Sequence, residues 1–392
     1  MKRSSGAAVL VLLVAFLAAG CGDGTPAPRN HSATNQGAIQ GEGTPICGTG
    51  EDTRLPPSGI AKLDQAAGKI SGAGSTFVAP LMTVWANEFH QTFGAEVAYD
   101  SVGSGAGVAR IGAGRVDFAA SEAPMTDAEL AAASGGTILH VPLVFGAVVP
   151  AYHVTGQKGG LKFTGEVLGK IFAGKITRWD DPELTALNPN SRLPSIPIVV
   201  VHRSDSSGST AIFTTYLTKT SPSWVEALPA DKRVGREVPW PVGNAGQGNE
   251  GVAAVVNHTE GALGYVELTY ALTNGLQVGF VQNKADRFVQ PCVETVTAAA
   301  RDIAISPDLR FDLTDTPGID AYPITGTTWA LVYEQQKDPT KAKTLVNFLA
   351  WTLDEGQTKA RAHNYAPLSP EVRALAIDQI KKITVSGTPV AR

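Results

Sequence analysis

Only three cysteines occur in the 392 residues, Cys21, Cys47 and Cys292, and no two of them form a CxxC pair. That spacing argues against a cysteine-built metal site. The seven histidines are scattered, without HxH or HExxH spacing, so no histidine metal motif is present either. Positive charge is never clustered: the formal net charge is −4 and no basic helix face is visible. A nucleic-acid partner is therefore not expected. No GxxxxGK[ST] and no GxSxG occurs, which removes the P-loop and the nucleophile elbow. Beyond the N-terminal segment, no apolar run is long enough to span a bilayer.

What is present begins with a targeting signal. Lys2 and Arg3 precede the apolar run Ala7 to Ala19, which is too short to cross a membrane comfortably. It ends in "LAAGC", Leu17 to Cys21, similar to the lipobox of bacterial lipoproteins. Residues 1–20 read as a signal peptide, with lipidation expected at Cys21. Two or more acyl chains there give stable anchoring. Residues 21–69 are poor in large apolar side chains and read as a flexible tether. In a compartment outside the cytoplasm, Cys47 and Cys292 are either two free thiols or one disulfide stapling the tether to the body.

The body, roughly 320 residues, is too long for one simple core and suggests two lobes. Strand and helix signals alternate along it, so the fold class is α/β. "APLMTVWANEFHQTF" places Leu81, Trp85, Phe89 and Phe93 at spacing four, a helix with one apolar stripe. "ILHVPLVFGAVVPAYHV" is a long apolar run interrupted at Pro142 and Gly146, expected to cross between lobes. Further helices are expected over Asn249 to Asn257, Pro339 to Leu353 and Pro370 to Ile383. The six tryptophans, Trp85, Trp179, Trp224, Trp240, Trp329 and Trp351, read as packing residues.

One device recurs. A strand, a Gly/Ser/Thr turn and a helix follow one another at Gly72–Phe77, Gly103–Gly107 and Ser206–Thr210. None of these three turns fits GxGxxG, so a dinucleotide fingerprint is not expected. In open α/β sheets, ligands sit off the carboxyl ends of strands at such turns. Helix N-termini carry unpaired N–H groups and partial positive charge, which suits an anion.

The third turn, "VHRSDSSGST", adds Arg203 and Asp205, with Ser207 or Ser209 at the N-cap position. Arg203 offers a planar fork of donors suited to an oxyanion. By itself the stretch is either an anion cradle or an ordinary capped turn with a surface salt bridge. His202, Asp205 and Ser207 do not make a triad, because residues two apart on one turn point in different directions. His202 reads as a strand-end residue. Glu122, in "AASEAP", reads locally as an exposed turn carboxylate.

Taken together, "GAGSTFVAPLMTVWANEF", "VGSGAGVARI", "VDFAASEAPMT", "GKITRWDDPELTALNP", "HRSDSSGSTAIFTTYL", "WPVGNAGQGNEGVAA", "GALGYVEL" and "AYPITGTTWAL" resemble, in order, the substrate-binding lipoprotein of bacterial high-affinity phosphate ABC importers. The likeness covers about Ile70 to Ile383. It implies a two-lobed type II periplasmic-binding-protein fold with a ligand cleft and two hinge crossings, near Gly146 and Tyr322. Lobe one would hold residues 70–146 and 322–392, and lobe two residues 147–321.

The resemblance also implies the contacts. Phosphate would meet Thr76 and the Phe77 backbone N–H at the first turn and Ser104 at the second. Arg203, Ser207, Gly208 and Ser209 would meet it at the third, with Asp205 holding the arginine. Ser209 stands where the family often has Thr. Glu122 stands where the family has Asp, which moves it from the surface into the cleft. The implied protein is not an enzyme and needs no cofactor or metal. It is expected to be a monomer, anchored outside the cytoplasm through Cys21, that passes phosphate to permease and ATPase subunits. A receptor for another tetrahedral oxyanion, or a phosphatase on the same scaffold, are the alternatives.

Overall fold

The computed structural model describes residues 47–48 and 68–391. The signal-like segment, Cys21 and most of the tether lie outside the described residues. The first described strand, Lys69–Gly74, takes in the last residue of the expected tether.

A nine-stranded sheet runs through the molecule. In its first half, Lys69–Gly74 pairs in parallel with Glu96–Ser101 on one side and Phe118–Ser121 on the other. Thr325–Tyr333 then runs antiparallel between Phe118–Ser121 and Ile138–His153. In the second half, Ala262–Glu267 is antiparallel to Ile138–His153, and Val199–Arg203 lies parallel between it and Asn244–Gly246.

The apolar run singled out in the sequence is one strand, Ile138–His153, buried along nearly its whole length. Such a run reads as a strand covered on both faces. It changes partner in the middle. Ala147 still faces Thr325, whereas the next residue, Val148, faces Glu267. One strand thus belongs to both halves, which makes the α/β architecture two-lobed around a shared sheet.

Neither expected interruption ends the strand. Pro142 sits at a register irregularity opposite Thr328 and Trp329, where a missing N–H is tolerated. Gly146 is required by close approach: a Cβ there would stand 2.5 Å from the Phe77 ring.

Helices flank the sheet, among them Ala79–Phe93, whose Leu81, Trp85 and Phe89 are buried. Pro339–Leu353 and Pro370–Lys381 begin at prolines in the first turn, where the lost N–H costs nothing. Trp85, Trp179, Trp224, Trp329 and Trp351 are buried, and Trp240 packs against the core.

Cys47 and Cys292 are joined as a disulfide, with Cα atoms 5.9 Å apart, so the free-thiol alternative falls. Among the described residues, the one cluster of metal-ligand types is Cys47, Cys292 and Glu294. Its sulfurs are bonded to each other, and Glu294 pairs with Arg361 at 2.7 Å. The segment around 309–314 straps both halves. Leu309 O accepts from Trp329 Nε1 at 2.8 Å, while Thr314 O accepts from Lys219 Nζ at 2.7 Å.

Candidate functional site

The three turns meet. Helix Ser104–Gly112 starts at the second turn without a side-chain cap, and helix Gly208–Thr220 starts at the third. Ser104 Oγ accepts from Gly208 N–H at 3.0 Å, and Gly105 N–H donates to Ser206 O at 2.9 Å. The first turn joins through Ser75, whose Oγ accepts the Phe77 N–H at 2.9 Å. Thr76 Oγ1 accepts from Asn249 N–H and Nδ2, at 3.2 and 2.8 Å.

Glu122 is the centre of this arrangement. It is 4% exposed, so the exposed-turn reading of its local sequence is overturned. Strand Phe118–Ser121 is buried on both faces and delivers the next residue inward, whatever its charge. Oε1 accepts from Ser75 Oγ at 2.5 Å and from Thr328 Oγ1 at 2.9 Å, and Oε2 from Ser104 Oγ at 3.1 Å. Burial raises its carboxyl above the usual range, against the lowering effect of the three hydroxyls and of Arg203. Gly208 is required beside it, since a Cβ there would stand 2.5 Å from Oε2 and 2.8 Å from the Glu122 backbone nitrogen.

The third turn carries the cation. Arg203 is buried at the end of its strand and forks onto Asp205, with Nε–Oδ1 at 2.8 Å and Nη2–Oδ2 at 2.5 Å. This is a largely buried pair, not a surface bridge. Burial would raise the Asp205 carboxyl, but the Arg203 fork and the Gly248 N–H at 2.9 Å hold it below its usual value. Of the two N-cap candidates, Ser207 caps: its Oγ accepts from Thr210 N–H at 3.2 Å, a contact worth about 1 kcal/mol. Ser209 Oγ is buried without a hydrogen-bond partner. His202 stays out of the site, stacked on Trp240 with ring centroids 5.2 Å apart.

The residues singled out for one site therefore lie together at the ends of strands from both halves of the sheet. The PBP superfamily domain is matched over residues 59–355. The chain belongs to the PBP superfamily. Among relatives of this family, the phosphate-binding protein PstS of Xylella fastidiosa (strain 9a5c) is 39% identical over 307 residues, 78% of this chain and 82% of its own. That of Pasteurella multocida is 39% identical over 313 residues, 79% and 89% of the two chains. In solved structures the fold is similar to a high-affinity periplasmic phosphate-binding protein, PfluDING, bound with phosphate. The TM-score is 0.63 at 23% identity, over 78% of this chain and 92% of that one.

Several residues of this PBP-type cleft carry no sequence signal of their own. Ser75 and Thr328 hold Glu122, yet one is a serine among glycines and the other a threonine inside a strand. A GxGxxG does occur outside the three turns, at Gly246–Gly251. Its amides serve the cleft: Gly248 N–H goes to Asp205 and Asn249 N–H to Thr76. Tyr270 OH donates to Thr76 O at 2.7 Å, and Tyr365 OH to Phe77 O at 2.6 Å.

Proposed function

We propose that this chain is an extracytoplasmic receptor that binds inorganic phosphate between its lobes and delivers it to an ABC importer. The observation that carries the reading is Glu122, a buried carboxylate held by three hydroxyls against the start of helix Gly208–Thr220. Phosphate keeps at least one proton at neutral pH and can donate it to a carboxylate. Sulfate has none, and meets the same carboxylate with unrelieved repulsion. An unpaired buried polar group costs about 1–3 kcal/mol, and more when charged. Helix N-termini, hydroxyls and one arginine balance the anion without a strongly basic pocket.

Thr76, Phe77, Ser104, Arg203, Ser207, Gly208 and Ser209 are the proposed contacts, with Asp205 fixing Arg203. The anion would take over donors that now serve Ser75, Ser104 and Glu122. The lobes divide as 70–146 with 322–392 and 147–321, and the strand partner change at Ala147 and Val148 supports one crossing. Lipidated Cys21 anchors a monomer facing the permease and ATPase subunits. Among the described residues no helix is long and apolar enough to cross a membrane. The 39% identity to phosphate-binding proteins, together with an arginine locked to Asp205, favours binding over phosphatase chemistry.

Isothermal titration of phosphate-stripped protein tests this. Phosphate should bind, sulfate should fail to displace it, and phosphoesters should not be hydrolysed. Preferential sulfate binding, or phosphoester turnover, would overturn it.

A further inference from the structure

Behind the first turn lies a second buried carboxyl, Glu267, at the end of strand Ala262–Glu267 and fully buried. It faces Val148, the residue at which the long strand passes from one half of the sheet to the other. Its backbone N–H donates to Asn249 Oδ1 at 2.9 Å, and Asn249 in turn donates to Thr76 Oγ1. Its side chain meets two hydroxyls. Tyr365 OH is 3.2 Å from Oε2, and Thr269 Oγ1 is 3.3 Å from Oε1.

Each hydroxyl has one proton. Tyr365 OH lies closer to Phe77 O, at 2.6 Å, and Thr269 Oγ1 lies closer to His363 O, at 2.8 Å. A carbonyl oxygen can only accept, so both hydroxyl protons are used there. The two longer contacts then set lone pairs against lone pairs, and a single proton on Oε2 turns the one to Tyr365 OH into a hydrogen bond. The Thr269 N–H donates to Oε2 at 2.8 Å and suits either state.

Among the described residues Glu267 forms no ion pair. The titratable groups facing it are Tyr365 and Tyr270. Glu250, Arg203 and Glu122 also act on Tyr270, Glu250 more strongly than Glu267 does.

We propose that Glu267 is a neutral carboxylic acid in the closed protein, and that its proton ties the junction of the two lobes to the first anion-binding turn through Tyr365 and Phe77. This rests on the phosphate-receptor reading for its functional part. Glu267 is a positioning residue, since it reaches the ligand only through Tyr365, Asn249 and the turn they hold. Burial pushes its carboxyl up to about 8, in keeping with that role. Ionised, it would be a buried charge with no cationic partner among the described residues, met only by the Thr269 and Tyr270 N–H groups at the start of helix Leu268–Thr273. Opening the lobes would relieve that charge, so closure takes up a proton and phosphate affinity falls as pH rises.

The sign follows from linkage. The closed form holds the proton more tightly than the open one, so closure is favoured at low pH and loses ground as pH rises. The loss is at most about tenfold per pH unit, and it levels off once the closed form itself ionises near pH 8.

The test compares phosphate dissociation constants of the wild type and Glu267→Gln across neutral and alkaline pH. The ligand's titration and that of Glu122 are common to both and cancel in the ratio. The amide of glutamine is neutral and donates, so the ratio of wild type to variant should rise with pH and then level. A constant ratio would overturn the proposal. Infrared spectroscopy at pH 7 supplies an arm that needs no phosphate: a protonated-carboxyl band should be present in wild type and lost in Glu267→Gln. Its absence from wild type, or its persistence unchanged in Glu267→Gln, would overturn the proposal even if phosphate binds, and its loss in Glu267→Gln would uphold the neutral acid even if phosphate does not bind. Should that variant not fold, Tyr365→Phe removes the hydroxyl and should shift the same band; an unmoved band would overturn the relay.

Discussion

Arg236, beyond helix Gly208–Thr220 in the chain, pairs with Glu129. Its guanidinium pairs with that carboxylate on helix Asp127–Ala131, which follows the Glu122 turn, while its carbonyl accepts the Ser207 N–H at 2.9 Å. Glu129 is itself fixed, with Oε2 accepting from Thr126 N–H at 2.8 Å in a capping box. One residue thus ties the cap of helix Gly208–Thr220 to the helix that follows the Glu122 turn.

The pair should act as a latch on the closed form. It is partly exposed, so its worth is at most about 1 kcal/mol, or roughly fivefold in a dissociation constant. Arg236→Gln should speed phosphate release several-fold at low salt, with little change in association rate. Stopped-flow release at low and high ionic strength checks this, because screening should erase the difference. A release rate equal to wild type at low salt would remove the latch.

Arg203 should matter more. A charge-assisted contact contributes about 1.5–3 kcal/mol, so Arg203→Ala should weaken phosphate binding roughly ten- to hundredfold. Arg203→Lys should also lose affinity, because a point charge cannot fork onto Asp205 and an oxyanion. Isothermal titration measures both. Unchanged affinity in Arg203→Ala would place the arginine outside the site.

Glu122 should set selectivity. In Glu122→Gln the charge is gone and the amide can donate, so phosphate should bind less tightly and sulfate should compete better. The raised carboxyl adds a pH dependence. As pH falls through its elevated range Glu122 gains a proton and loses its repulsion, so sulfate competition in the wild type should grow toward acid. In Glu122→Gln the ratio of phosphate to sulfate dissociation constants should be flatter. A ratio identical in the two proteins at every pH would assign selectivity to the hydroxyls and backbone instead.

The anchor is tested separately. Cys21→Ser should release the protein from the membrane fraction or leave the precursor uncleaved. Fractionation and migration like wild type would show that the thiol is not lipidated.

Much of this protein was legible before folding. The α/β alternation, helices such as Pro339–Leu353 and the three strand–turn–helix junctions are local, written in apolar period, caps and small turn residues. Arg203, Asp205 and Ser207 were readable because one short stretch carries all three. Glu122 was legible only through the family resemblance: its flanks describe an ordinary turn, and its burial follows only when Ser75, Ser104, Thr328 and Gly208 close around it from four segments. Glu267, Tyr365 and Asn249 lie further still from any local signal, because their roles are hydrogen bonds across up to 288 residues of chain. The sequence by itself determined which elements form and which turns favour an anion. Tertiary structure alone decided which carboxyls are desolvated and where each hydroxyl proton goes, since both depend on neighbours that are close in space and remote in the chain.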